Sequence, residues 1–134
     1  MGATTDTVTL TIPQREDLLP LFRMILGGIA LRRNLSLETL DDLQLAVDTV
    51  LAEDEAQRGD VSMSVESEAG VLRIRLSPLT SRDLRETLLQ GSVPEGAGDR
   101  CLDVCLILRS LVDDFAIHDG TDDSFAVVLR KLTG

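Results

Sequence analysis

Residues 61–76 read VSMSVESEAGVLRIRL, and the two halves of this stretch share one pattern of alternating apolar and polar residues. The apolar positions are every second residue from Val61 to Val65 and every second residue from Leu72 to Leu76. A period of two is typical of a β-strand with one buried face. A short Glu-Ala-Gly connection joins the two runs, so the stretch predicts an antiparallel hairpin.

Helical and strand patterns alternate on both sides of this hairpin. Before it, the spacing of apolar residues predicts a strand over Val8–Ile12, a helix from Glu16 to about Arg33 and a helix from Leu37 to about Arg58. After it, the spacing predicts a short helix over Arg82–Gln90, a helix from about Arg100 to Asp114, and strands at Phe115–Ile117 and Phe125–Leu129. This order predicts an α+β fold: a two-layer α/β sandwich with a mixed, mostly antiparallel sheet and the helices on one face.

The composition fits one globular domain over residues 1–134. Apolar residues make up 43% of the chain and charged residues 27%. The net charge of −10 argues against duplex nucleic acid and anionic membrane surfaces as partners, and it favours a basic protein partner. With three Phe and neither Trp nor Tyr, the chain lacks the aromatic side chains on which single-stranded nucleic acids stack. Its core is therefore predicted to be aliphatic.

The first residues and the cysteines indicate a compartment. Residues 1–6, MGATTD, have neither the basic nor the apolar region of a signal peptide. No apolar run approaches the roughly 18 residues that a membrane-spanning helix needs. We therefore expect a cytoplasmic protein in which Cys101 and Cys105 are reduced core residues.

Two glycines interrupt the first predicted helix. Gly27 and Gly28 each cost about 1 kcal/mol relative to alanine inside a helix, unless a neighbour packs closely against them. That neighbour is either another part of the same chain or a helix of a second copy, and the sequence leaves both alternatives open.

The second predicted helix contains a family motif. Residues 41–48 read DDLQLAVD, and residues 106–115 at the end of the last predicted helix read LILRSLVDDF. Together with the order of elements, these stretches resemble the GHKL (Bergerat-fold) ATPases. The most similar branch is the RsbW/SpoIIAB type of anti-sigma factors, which are serine kinases. The resemblance extends from Val8 to Leu132 and implies the histidine-kinase-like ATPase fold.

The residues with which that family uses ATP are replaced in this helix. The family motif is D-x-x-L-A-V-x-E-x-x-x-N; its general-base Glu falls on Thr49, and its magnesium-binding Asn falls on Glu53. A threonine hydroxyl does not act as a base near neutral pH. Glu53 either offers an oxygen ligand to magnesium or is a solvated residue of the acidic run at 53–55.

The glycine-rich segments of the family are altered as well. Its adenine-binding D-x-G-x-G corresponds to residues 77–81, which read SPLTS. The lid positions beside the phosphates fall on bulky residues at 101–104. Gly96 and Gly98 lie slightly upstream and could form a shifted phosphate loop, although Asp99 would repel a triphosphate.

The resemblance therefore implies a regulatory protein-binding module of the anti-sigma factor type. We expect it to bind a sigma factor or an anti-sigma antagonist without phosphorylating it, with no catalytic residue and no cofactor. The alternative is a divergent serine/threonine kinase that binds Mg·ATP or ADP through Thr49, Glu53, Gly96 and Gly98. An open pocket between the second and third long helices would favour the kinase, and a filled one would favour the module.

A homodimer is also expected. Members of the resembled branch pair through the exposed part of the sheet near the first strand. Here that strand carries Thr7, Thr9 and Thr11 between its apolar residues, and no Lys or Pro blocks edge pairing before Pro13. The alternative contact is the Gly27–Gly28 face of the first helix.

Overall fold

The computed structural model describes residues 6–54, 59–90 and 99–133. Five strands lie in these ranges: β1 (Asp6–Pro13), β2 (Asp60–Glu68), β3 (Val71–Leu79), β4 (Asp114–Asp119) and β5 (Phe125–Leu132). Four helices accompany them: α1 (Pro20–Arg33), α2 (Leu37–Glu53), α3 (Arg82–Gln90) and α4 (Asp99–Leu111). The order β-α-α-β-β-α-α-β-β is the predicted one.

The strands form one five-stranded sheet in the order β1-β2-β3-β5-β4, and all four neighbouring pairs are antiparallel. The expectation of a mixed sheet is therefore wrong. β3 and β4 run in the same direction, but β5 lies between them, so no parallel pair forms. The α+β class and the antiparallel hairpin at 61–76 are confirmed.

The register places the apolar positions of neighbouring strands on one face of the sheet. Met63 pairs with Leu76 and Val65 with Ile74, and all four side chains are buried. Ile74 in turn pairs with Leu129 of β5. The helices add Phe22, Leu26, Leu43, Val47, Val50 and Leu108 to the same apolar cluster. One face of the sheet is thus covered by helices, and the core is aliphatic apart from the buried rings of Phe22 and Phe125.

Three helix ends agree with the predicted boundaries, and a capping residue lies at each of them. Ser36 caps α2 by accepting a hydrogen bond from the Thr39 N–H at 3.0 Å. Asn34 ends α1 in the left-handed conformation, with φ of 56°. Ser81 caps α3 by accepting a hydrogen bond from the Leu84 N–H at 3.2 Å.

Several predicted boundaries are wrong; the last helix, for example, ends at Leu111 rather than Asp114. α1 begins at Pro20 rather than Glu16, because residues 16–19 form turns and proline suits the first helical position. α2 ends at Glu53 rather than near Arg58, because Asp54 leaves the helical conformation at φ −88° and ψ 84°. Residues 55–58 lie outside the described part of the chain.

Gly27 and Gly28 have no close neighbour within the described chain. A Cβ atom built on either residue would meet nothing within 4 Å. Among the described residues, the intramolecular neighbour that one alternative requires is therefore not found. Among the residues described, no helix is long and apolar enough to cross a membrane.

Candidate functional site

The region that the resemblance assigns to a nucleotide lies where α2 meets the connection from β3 to α3. Thr49 lies in α2 and is half-buried. Its hydroxyl donates a hydrogen bond of 2.7 Å to the main-chain oxygen of Leu45, one helical turn earlier. The hydroxyl at the general-base position is therefore engaged with its own helix.

The acidic residues at the end of α2 differ in exposure. Glu53 is the last helical residue and is half-buried, whereas Asp54 is only 1% exposed. The solvated alternative concerns Glu53, which is half-buried, whereas its neighbour Asp54 is buried. A buried carboxylate needs hydrogen-bond partners, because burial without them is strongly unfavourable.

Asp54 has partners from two other elements. Its Oδ1 accepts hydrogen bonds from the main-chain N–H groups of Thr80, at 2.9 Å, and Ser81, at 2.8 Å. Its Oδ2 accepts from the Gln14 side-chain amide at 3.1 Å. Gln14 is itself 5% exposed, and its main-chain N–H donates to the Gly59 oxygen at 3.0 Å.

These contacts join three parts of the fold at one buried carboxylate. Gln14 directly follows β1, Asp54 directly follows α2, and Thr80 and Ser81 connect β3 to α3. Through these contacts the Asp54 carboxylate lies beside the N-terminus of α3. A negative charge near a helix N-terminus is favourable, so Asp54 also stabilises α3 electrostatically. We call Gln14, Asp54, Thr80 and Ser81 the Asp54 junction.

The described residues at this place do not fit a magnesium-bound nucleotide. In the resembled family, residues 77–81 would bind adenine, but here Leu79 is completely buried, and the Thr80 and Ser81 N–H groups are bonded to Asp54. Helices α2 and α4 also pack directly against each other. No group of three or more His, Cys, Asp or Glu side chains that could hold a metal occurs in the described ranges.

Some predicted site residues fall elsewhere. Gly96 and Gly98 lie outside the described residues, and so does the side chain of Cys101. Cys105 is buried, as predicted, and its thiol lies 3.3 Å from the Thr87 main-chain oxygen. Of the four residues that the resemblance assigns to a nucleotide, Thr49 and Glu53 therefore lie on α2, and Gly96 and Gly98 are not described.

The face of the sheet opposite the helices is uncovered over the described chain. On β1 and β2 it carries Glu66 and short hydroxyl side chains: Thr9 pairs with Ser64 and Thr11 with Ser62. Their hydroxyls are hydrogen bonded to each other, at 2.9 Å and 2.5 Å respectively. The surface here is polar. We call this surface the open sheet face.

Two arginines lie in the middle of the open sheet face, and they differ in whether they form ion pairs. Arg73 contacts Glu66 and Glu68, each at 3.5 Å. Arg75, which pairs with Ser64 across the β2–β3 ladder, is exposed and has no ion-pair partner among the described residues. Arg75 is therefore a cation available to a binding partner at the centre of the sheet.

A second charged feature joins α3 to the β4–β5 turn. Arg85 donates to both carboxylate oxygens of Asp119, at 2.8 Å and 2.9 Å. This hydrogen bonding lowers the pKa of Asp119 below its ordinary value and raises the pKa of Arg85. A cavity of about 420 Å³ lies beside the pair, with side chains of both charge signs in its wall. The pair links α3 to the end of β4.

Sequence reasoning missed the Asp54 junction. Asp54 is flanked by Glu53 and Glu55, and such runs are usually solvated. The available signal is periodicity: Asp54 follows Val47, Val50 and Leu51 on the buried side of α2, four residues after Val50. Gln14 offers no comparable signal, because its burial depends on where α2 ends.

No protein-family model matches the chain, and no curated protein shows significant similarity to it. The resemblance therefore depends only on the order of elements and on the motif residues at 41–48 and 106–115. Those features guide the functional proposal below.

Proposed function

We propose that this chain is a regulatory protein-binding module of the anti-sigma factor type. In this proposal it binds a sigma factor or an anti-sigma antagonist and does not phosphorylate it. The observation that carries the proposal is the open sheet face, a polar surface on which Arg75 is exposed and has no ion-pair partner among the described residues.

The Asp54 junction supports the absence of catalysis in this proposal. The main-chain N–H groups of Thr80 and Ser81 are bonded to Asp54, at the place where the resemblance expects a nucleotide. An adenine could bind there only if the buried Asp54 carboxylate first lost these hydrogen bonds, which is unfavourable. The Thr49 hydroxyl is likewise engaged with Leu45.

The charge of the chain supports a protein partner. At a net charge of −10, long-range electrostatics accelerate encounter with basic partners and oppose encounter with nucleic acid. The open sheet face itself combines arginines with glutamates, so it provides specific ion pairs and no strong field of one sign. Overall charge steers the encounter, and the arginines on the face provide local contacts.

The test is affinity capture from the native cytosol, with the bound proteins identified by mass spectrometry. We expect the wild-type chain to recover a sigma factor or a small antagonist domain, and Arg75→Glu to lose it. Arg109→Glu is the matched control, because Arg109 is also exposed and unpaired within the described chain but lies on α4. Recovery of neither class of protein, or equal recovery by both variants, would contradict the proposal.

Calorimetry with Mg·ATP and ADP tests the kinase alternative directly. A ligand that binds the folded state raises the unfolding temperature by mass action. We expect no heat of binding and no thermal shift at millimolar nucleotide. Binding in this range, followed by phosphate transfer to an antagonist serine, would replace the module with the kinase.

A further inference from the structure

The solvent side of α1 carries an apolar stripe that the rest of the described chain leaves uncovered. Leu31 is 83% exposed, Met24 is 70% exposed and Leu21 is 37% exposed, and Gly28 lies exposed between them. We call these four residues the α1 stripe. The residues of α1 that face the core are a separate set: Phe22, Leu26 and Ala30.

The spacing of the α1 stripe is that of a helix–helix seam. Positions 21, 24, 28 and 31 are separated by three, four and three residues, which keeps them on one side of the helix. Single exposed apolar residues are common on protein surfaces. A continuous stripe at this spacing marks a contact surface instead.

The spacing of the α1 stripe is the same in both directions along the helix. When two copies of α1 lie antiparallel with their centres aligned, Leu21 of one copy faces Leu31 of the other. Met24 then faces Gly28 of the other copy. A large side chain opposite a glycine gives close packing of the two helices, and the flexible thioether of methionine fills such gaps well.

Gly28 has no explanation within the part of the chain that the structure describes. A Cβ atom at this position would meet nothing within 4 Å, so an alanine would fit and would favour the helix. A second helix at the α1 stripe supplies the close neighbour that the glycine otherwise lacks.

The charges around α1 suit contact between two copies. The chain has 23 acidic residues, but none lies between Leu18 and Leu37, so this surface avoids much of the repulsion between copies of net charge −10. Arg32 near the end of α1 and Glu16 just before it are exposed, with no ion-pair partner among the described residues. Antiparallel packing brings Arg32 at the end of one α1 helix toward Glu16, which precedes the α1 helix of the other copy.

We propose that two copies of this chain associate through the α1 stripe as a symmetric dimer with antiparallel α1 helices. The contact is isologous, because each copy uses the same patch. It replaces the β1 edge, the contact that the resemblance implies, and it does not depend on the proposed binding of a sigma factor. Since one helix pair buries less than a standard interface, we expect a micromolar dissociation constant.

Sedimentation equilibrium from low micromolar to near-millimolar protein tests the inference. We expect the wild-type mass to rise from 14.6 kDa toward twice that value. Leu31→Glu and Gly28→Glu should raise the dissociation constant by tenfold or more, since both place charges inside the seam. Leu106→Glu is the matched control: Leu106 is 52% exposed on α4, and its replacement should leave the dissociation constant unchanged within about twofold. Circular dichroism and urea unfolding establish that each variant is folded.

A charge exchange tests the antiparallel orientation. Glu16→Arg and Arg32→Glu should each weaken the dimer by roughly two- to fivefold, and the double variant should recover the wild-type dissociation constant. A double variant as weak as the sum of the singles would overturn the antiparallel arrangement.

A variant of β1 separates the two contact surfaces. Val8 is 41% exposed at the sheet edge, and Val8→Lys blocks edge pairing. We expect it to dimerise like the wild type. A wild-type chain that stays monomeric, or a dimer that survives Leu31→Glu and is lost in Val8→Lys, would overturn the inference.

Discussion

Replacing Asp54 tests whether the Asp54 junction stabilises the fold. In Asp54→Ala, the N–H groups of Thr80 and Ser81 lose their common acceptor, and the Gln14 amide loses its carboxylate partner. A buried donor without an acceptor costs about 1–3 kcal/mol. Some of these groups will recover water, so we expect the free energy of unfolding to fall by about 3–5 kcal/mol.

This loss is large compared with the stability of a domain of this size. Folded domains are stable by about 5–15 kcal/mol, and a urea m-value of about 2 kcal/mol/M converts the expected loss into a midpoint lower by about 2 M. Equilibrium unfolding in urea, followed by circular dichroism, measures this change. The m-value should stay constant, because the substitution does not alter the surface exposed on unfolding.

The isosteric variant separates hydrogen bonding from charge. Asp54→Asn keeps one carbonyl oxygen for the Thr80 and Ser81 N–H groups, and the Gln14 amide can rotate to present its oxygen to the new NH₂ group. We therefore expect a loss of about 1–2 kcal/mol, since neutral hydrogen bonds are weaker than charge-assisted ones. If Asn were as destabilising as Ala, the charge beside α3 would matter more than the hydrogen bonds.

Asp41 provides the matched control. It is an exposed carboxylate of α2, the helix that Asp54 follows, and its replacement by alanine should change the stability by no more than about 0.5 kcal/mol. The reasoning about the Asp54 junction is wrong if Asp54→Ala costs less than about 1 kcal/mol, or if it costs no more than Asp41→Ala.

Three further predictions concern other parts of the fold. Gly27→Ala should raise the free energy of unfolding by about 0.5–1 kcal/mol, because its Cβ meets open space; a loss of stability in urea would contradict this. Lys131→Met removes an ammonium group that donates to Asp42 at 3.2 Å and to a main-chain oxygen at the end of α4. We therefore expect the free energy of unfolding to fall by about 1–3 kcal/mol in thermal or urea unfolding, and an unchanged midpoint would count against this prediction. The pKa of the Asp119 carboxyl should lie below its ordinary value of 3.8 in a carbon-13 NMR titration, and Arg85→Met should return this pKa toward the ordinary value. Since the folded-state pKa is the lower one, the stabilisation from this pair is present above the ordinary pKa and is lost as the pH falls through the lowered one; an Asp119 that titrates at or above 3.8 in the wild type would refute it.

The elements that were predicted well are those with strong local signals. The alternation at 61–76 specifies a strand pair. Ser36 and Ser81 are of a residue type that favours helix N-caps, and each accepts a hydrogen bond from the N–H three residues later. These signals depend on neighbours within a few residues along the chain, so they survive without any knowledge of tertiary contacts.

The errors arise where contacts distant in sequence decide the outcome. α2 stops at Glu53 because Asp54 bonds to residues 26 and 27 positions later, and no local pattern contains that information. The all-antiparallel sheet likewise depends on the position of β5 between β3 and β4.

The candidate site was predicted only in part. Thr49 and Glu53 lie in α2 as the motif requires, but the buried polar residue that organises the region is Asp54, which the motif does not mention. The outward positions of Arg73 and Arg75 on the open sheet face follow from the alternation at 61–76. That Arg75 alone of these two lacks an ion-pair partner among the described residues depends on side-chain geometry, which sequence does not show.

The position of β5 has a consequence for how the protein is made. β5 is the last of the five strands along the chain, yet it lies inside the sheet, with β3 on one side and β4 on the other. During synthesis, β1, β2 and β3 can pair as they emerge from the ribosome, while β3 keeps an unpaired edge and β4 has no strand to join. An unpaired edge is a site for association with other chains. The nascent chain is therefore most exposed to misassembly in the interval between the synthesis of β3 and that of β5, when a chaperone would protect it most.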